Sequence, residues 1–192
     1  VQAAEVDRLM RLVRRILPDL DQASARRALE ALPVAMDRYR AYVVPGRAVD
    51  PEQAAVIEAA AGRARAHLAP TDEPALGVIV DLVLDRDLRD AALDTGPLAD
   101  DFRVRFQQTC GPVMAKGIED TAYYRWFRLA GANEVGGHPD HLSISAEEFH
   151  TWCGRLVASW PTSMTTLTTH DTKRSEDVRA RLMSLAEDGE GW

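Results

Sequence analysis

Residues 2–17 set Val6, Leu9, Met10, Val13, Ile16 and Leu17 on one stripe with polar residues between them, the i, i+3, i+4, i+7 spacing that predicts an amphipathic helix. Arg8, Arg11 and Arg15 line another face, which reads as a solvated helix surface. Asp21 and Pro33 each read as the start of a short helix. Asp50, Pro51, Glu52 and Gln53 combine an N-cap, a first-turn proline and a capping-box glutamine, which predicts a helix to about His67 whose alanine run suits close packing. Pro74 opens another through Leu84, a further one spans Asp85 to Leu93, and Thr95-Gly96-Pro97 breaks it ahead of a helix through Gln108. Residues 1–108 therefore read as an all-helical subdomain.

From Gly111 the pattern changes. A short apolar strand is expected there, followed by a helix over 120–130, a glycine-rich loop and a helix behind the Ser145 to Glu148 capping box. Ser163 to Thr169 is dense in β-branched threonine with Met164 and Leu167 interleaved, which favours a strand. Ser175 can cap the next helix, whose Val178, Leu182 and Leu185 share a face. This β-α-β-α order puts His170 and Asp171 between a strand's carboxyl end and the following helix. Parallel α/β architectures gather their catalytic groups at that position.

Composition narrows the partners. A formal net charge of −7 and a pI near 5.2 argue against nucleic acid or anionic membranes as partners. No apolar run approaches the roughly 20 residues of a membrane helix, and Val1 to Asp7 do not form a signal peptide, so a cytoplasmic location is the default expectation. Cys110 and Cys153 fit neither a C-x-x-C nor a zinc spacing; reduced thiols are the favoured reading, with a disulfide left open. Of 23 basic residues only Lys116 and Lys173 are lysines, a bias that hints at compact ammonium donors to hydroxyls, against the plainer reading of structural salt bridges. His138, His141 and His150 lack a helical metal-binding register, and no metal is expected.

Three blocks of residues carry a family resemblance. They are Thr165 to Arg179, Phe106 to Thr109 with Gly111 to Arg125, and Asn133-Glu134-Val135-Gly136-Gly137; Tyr39-Arg40-Ala41-Tyr42 adds a weaker one. Together they resemble the malto-oligosyltrehalose synthases, members of the α-amylase clan of (β/α)8 barrels. The resemblance implies a mainly α chain, in which the helical subdomain 1–108 precedes two β-α units of an incomplete barrel over 109–192. It implies an isomerase that converts the reducing-end α-1,4 linkage of a maltooligosaccharide to the α,α-1,1 linkage of trehalose.

Such retaining chemistry needs a nucleophilic carboxylate and an acid/base carboxyl roughly 5 Å apart. No block in residues 1–105 resembles either, so the chain reads as a fragment, inactive alone, with the remainder of the parent polypeptide as its partner. Asp171, with His170 beside it, matches the third acidic residue, which holds hydroxyls of the sugar ring at the cleavage point. Lys116, Lys173, Glu119, Asp120 and Arg174 are the candidate substrate-binding residues. An acidic helix start explains Glu119 and Asp120 equally well. Tyr123, Tyr124, Trp126 and Phe127 read mostly as core, with stacking on sugar the minority reading. No cofactor is expected. Two competing readings are a non-catalytic helical interaction module and an HD-type metal-dependent phosphohydrolase; the latter would hold the His-Asp doublet within a helix.

Overall fold

The computed structural model of the chain describes residues 3–86, 96–126, 128–185 and 187–188, which form two compact units, 1–117 and 118–192. The first unit holds five helices among its described residues: α1 (Ala3–Ile16), α2 (Gln22–Val34), α3 (Pro51–Arg65), α4 (Glu73–Val83) and α5 (Gly96–Met114). α1 packs on α2 and α5, and α2 also meets α3 and α4. The α1 stripe enters the core as expected, with Leu9, Met10, Val13 and Ile16 fully buried. Phe102 and Phe106 of α5 are fully buried as well, their rings stacked at 6.1 Å. Offset stacking at such separations adds to the burial of the rings.

Local signals set most of the helix starts. The Asp21 carboxylate accepts from Ser24 N at 2.8 Å and the Asp50 carboxylate from Glu52 N at 2.7 Å, each satisfying an orphan first-turn donor. Two details differ from expectation. Pro33 does not start a helix; it lies buried in the last turn of α2, which closes through Ala35 N to Ala31 O at 3.1 Å. Gln53 makes no capping box, because its Oε1 accepts from Tyr42 N at 3.0 Å. Gln107 of α5 holds the next residue, accepting from Val43 N at 3.0 Å and donating to Val43 O at 2.8 Å. Two glutamine side chains thus do for residues 42–43 what a neighbouring strand would. The helix expected over Asp85 to Leu93 falls largely on 87–93, outside the described residues.

An ion-pair network closes α2 against the short 3-10 turn Pro70–Asp72. Asp72, 1% exposed, accepts from Ser24 Oγ at 2.8 Å and from Arg27 at 2.7 and 2.8 Å. The Arg27 guanidinium, helped by the Ser24 hydroxyl, holds the Asp72 carboxyl down from 3.8 to about 2. A depressed folded-state value stabilises the fold above the unfolded value and loses that contribution as pH falls through the folded one. Resistance to urea should therefore decline as the pH drops from near 4 toward 2, and Asp72→Asn should remove part of that decline. Identical pH profiles for the two proteins would contradict this role of the network.

The strand expected at Gly111 is absent. α5 runs through Gly111 and Pro112 to Met114 and continues as a π turn, Ala115–Glu119. The Thr-rich stretch 163–169 forms no strand either, and no strand occurs among the described residues. The physical reason is the same for both. A strand satisfies its N–H and C=O groups only against a neighbour, whereas a helix satisfies them internally. Without a partner strand, Met164 stays 96% exposed and Leu167 71% exposed. The helix expected over 120–130 is reduced to single 3-10 turns at Ala122–Tyr124 and Ala130–Ala132. The Asn133 amide interrupts it by donating to Tyr123 O at 3.2 Å and Trp126 O at 2.5 Å.

Among its described residues the second unit keeps two α-helices, α6 (Ala146–Ser159) and α7 (Glu176–Leu185). α6 begins on the expected capping box, with Glu148 N donating to Ser145 Oγ at 3.2 Å and Ser145 N to Glu148 Oε2 at 2.8 Å. Neither helix buries a residue. Both cysteines are free thiols, and burial pushes Cys110 up to about 12. Among the described residues no helix is long and apolar enough to cross a membrane.

Candidate functional site

Among its described residues the second unit is organised around a loop rather than an apolar core. Asn133 is fully buried and Glu134 is 7% exposed, opening the Asn133 to Gly137 segment. Two adjacent glycines let the chain fold over them. Gly136 takes a φ of +70°, open to glycine without strain, and a Cβ on Gly137 would stand 2.6 Å from Ala132 O. Tyr123, buried beside them, donates its hydroxyl to Gly137 O at 2.7 Å.

Glu134 reaches a segment distant in sequence. Its Oε1 accepts from Val135 N at 2.9 Å and from Lys173 N at 2.7 Å, and its Oε2 lies 3.7 Å from Arg179 Nε. Arg179 also donates to Leu167 O, and Arg174 donates to Asn133 O at 2.9 Å. The segment 167–174 is thus tied down on both sides of His170 and Asp171. Within it Thr172 N donates to Thr169 O at 3.2 Å and Asp171 N to Thr169 Oγ1 at 3.3 Å, forming a tight turn.

His170 and Asp171 stand at the tip of that turn, Nε2 3.2 Å from Oδ2, with side chains 90% and 64% exposed. The doublet is in a turn, not in a helix. Lys173 points the other way: its Nζ pairs with Asp120 Oδ1 at 2.5 Å and is only 12% exposed. The hydrogen bond to Asp120 raises Lys173 above the usual lysine value, against the opposing pull of desolvation, with the Asp120 and Glu119 charges adding to it. Lys173 is therefore an ammonium donor at neutral pH and not a base. Glu119 is buried, and burial together with its charge raises the Tyr123 phenol.

The candidates named from sequence thus divide. Asp120, Lys173, Arg174, His170 and Asp171 come together in the second unit, whereas Lys116 lies exposed on the π turn within the first. Of the aromatic run, Tyr123 is core while Tyr124 and Trp126 are 50% and 41% exposed; Phe127 lies outside the described residues. The imidazoles of His138 and His141 meet edge-on at 5.0 Å, and among the described residues no three His, Cys, Asp or Glu converge on a metal position.

Glu134 and Arg179 carry more than sequence reasoning assigned them. The available signal was an acidic residue placed between Asn133 and a Gly-Gly pair, where a merely solvated charge has no need of two glycines.

No protein-family profile matches the sequence. Two curated proteins from strains of Mycobacterium tuberculosis, both named maltooligosyl trehalose synthase, are 54% identical over 84 residues, which is 44% of this chain and 11% of theirs. A solved variant of maltooligosyltrehalose synthase from Arthrobacter ramosus matches 98% of this chain with a TM-score of 0.76 and 38% identity. The chain spans 22% of that enzyme's length. It is homologous to a segment of maltooligosyltrehalose synthase.

Proposed function

We propose that these 192 residues are one segment of a maltooligosyltrehalose synthase, an isomerase that shifts the reducing-end α-1,4 linkage of a maltooligosaccharide to α,α-1,1 within one molecule. The single observation that carries this reading is the match of 98% of the chain to that enzyme at 38% identity. In the complete enzyme residues 109–192 contribute to the (β/α)8 barrel, and 163–169 becomes a strand once neighbours supply its hydrogen-bond partners. The apolar side chains left exposed on α6, among them Phe149 and Trp152, are then covered. The domain division at 108/109, the cytoplasmic location and the barrel all belong to this proposal.

The nucleophile and the acid/base come from the rest of the polypeptide, so the segment alone is inactive. Its own contribution is Asp171, whose carboxylate accepts hydrogen bonds from hydroxyls of the ring being cleaved. Those bonds strengthen as the ring flattens and gains positive charge. His170 adds a second hydroxyl contact from the same turn. Asp120 and Glu119 hold Lys173 as an ammonium beside that turn, while Arg174 completes the polar surroundings of the sugar; Lys116, on the first unit, is a separate substrate-binding candidate.

The test is an end-group assay with maltohexaose. In the complete enzyme reducing ends should disappear with no loss of glucose units, because trehalose is non-reducing. The isolated chain should leave them unchanged. Turnover by the isolated chain, or release of free glucose as the main product of the complete enzyme, would overturn the proposal.

A further inference from the structure

We infer that Glu134 is a positioning residue for Asp171, an assignment that rests on the reading of Asp171 given above. Glu134 Oε1 takes the Lys173 N–H, just after Asp171, at 2.7 Å. Through Oε2 it pairs at 3.7 Å with Arg179, which holds Leu167 O just before the turn. One carboxylate therefore fixes both flanks of the turn that presents Asp171, without itself reaching the exposed tip.

Stability alone does not account for this choice of residue. A buried carboxylate must be compensated by good hydrogen bonds, and an incompletely satisfied one weakens a fold relative to a neutral or apolar replacement. Glu134 Oε2 accepts no hydrogen bond, nor does Asn133 Oδ1 next to it, although both are buried. What the carboxylate provides is geometry. Only a side chain with two acceptor oxygens can hold a backbone N–H with one and a guanidinium with the other. The substitution Glu134→Gln would keep the first contact and lose the charge pairing.

The test compares Glu134→Ala, Glu134→Gln and Asp171→Asn in the complete enzyme, with kcat, KM and thermal midpoint measured for each. For Glu134→Ala kcat should fall about 10²-fold, the scale expected when a reacting group is displaced by about 1 Å, with KM for maltohexaose nearly unchanged. Glu134→Gln, which keeps the Lys173 N–H contact but not the Arg179 pairing, should recover only part of that loss at an unchanged thermal midpoint, an outcome a merely structural role does not give. In the 192-residue chain Glu134→Ala should also speed hydrogen exchange at the Lys173 amide, while Glu134→Gln should not; equal exchange in all three proteins would overturn the inference even if the alanine enzyme fails to fold. Full activity of Glu134→Ala beside an inactive Asp171→Asn would overturn this inference alone. Full activity of Asp171→Asn would overturn the reading of Asp171 and this inference with it.

Discussion

Asp171→Asn in the complete enzyme is expected to lower kcat on maltohexaose by about 10²- to 10³-fold, the usual consequence of removing one group that stabilises developing charge in a transition state. The reasoning begins with exposure. The Asp171 side chain is 64% exposed and its only described partner is the neighbouring His170, so little of the fold depends on it. Surface changes of that kind stay within about 0.5 kcal/mol in stability. Asparagine keeps the shape and one acceptor oxygen, so binding of the unreacted sugar should change little. What it loses is the negative charge that opposes the positive charge forming on the ring. A loss confined to kcat at constant thermal midpoint is therefore expected; steady-state kinetics with a melting curve on the same preparation decides it. An equal rise in KM would make Asp171 an ordinary substrate contact.

Phe106→Ala is expected to destabilise the first unit by about 3–5 kcal/mol, the range for removing a fully buried aromatic ring. That is a large share of the roughly 5–15 kcal/mol that holds a typical domain together. Phe106 is fully buried, stacks on Phe102, and sits on α5, which packs against α1, α2 and α4. The hole left behind is walled by several helices and collapses poorly. Urea denaturation followed by far-ultraviolet circular dichroism measures the loss. A shift below about 1 kcal/mol, small for this class of substitution, would mean that the interior relaxes around the missing ring.

The helical first unit was legible in the sequence because its signals are local. Asp21 and Asp50 cap helices through bonds to residues two or three positions away, and the α1 stripe needs only periodicity. The two expected strands do not form among the described residues for the opposite reason. A run such as Ser163 to Thr169 becomes a strand only when another strand lies beside it, and the described residues contain none. The partners of Gln53, expected to close a capping box, and of Gln107 escaped notice because each acts on residues 42–43, far from its own helix. In the site, His170 and Asp171 could be read from their place between a Thr-rich run and a helix. The Lys173 to Asp120 pair and the reach of Glu134 to the Lys173 backbone could not, since both join segments whose proximity the sequence does not encode by spacing.

We propose that this chain presents Asp171 to the sugar ring at the bond being rearranged, on a turn held by Glu134 and Arg179. A crystal structure of the complete enzyme with a bound maltooligosaccharide addresses it most directly. The Asp171 carboxylate should lie within hydrogen-bonding distance of hydroxyls on the ring at the scissile linkage, with Glu134 still on the Lys173 N–H. A sugar bound with Asp171 remote from that ring would contradict the account.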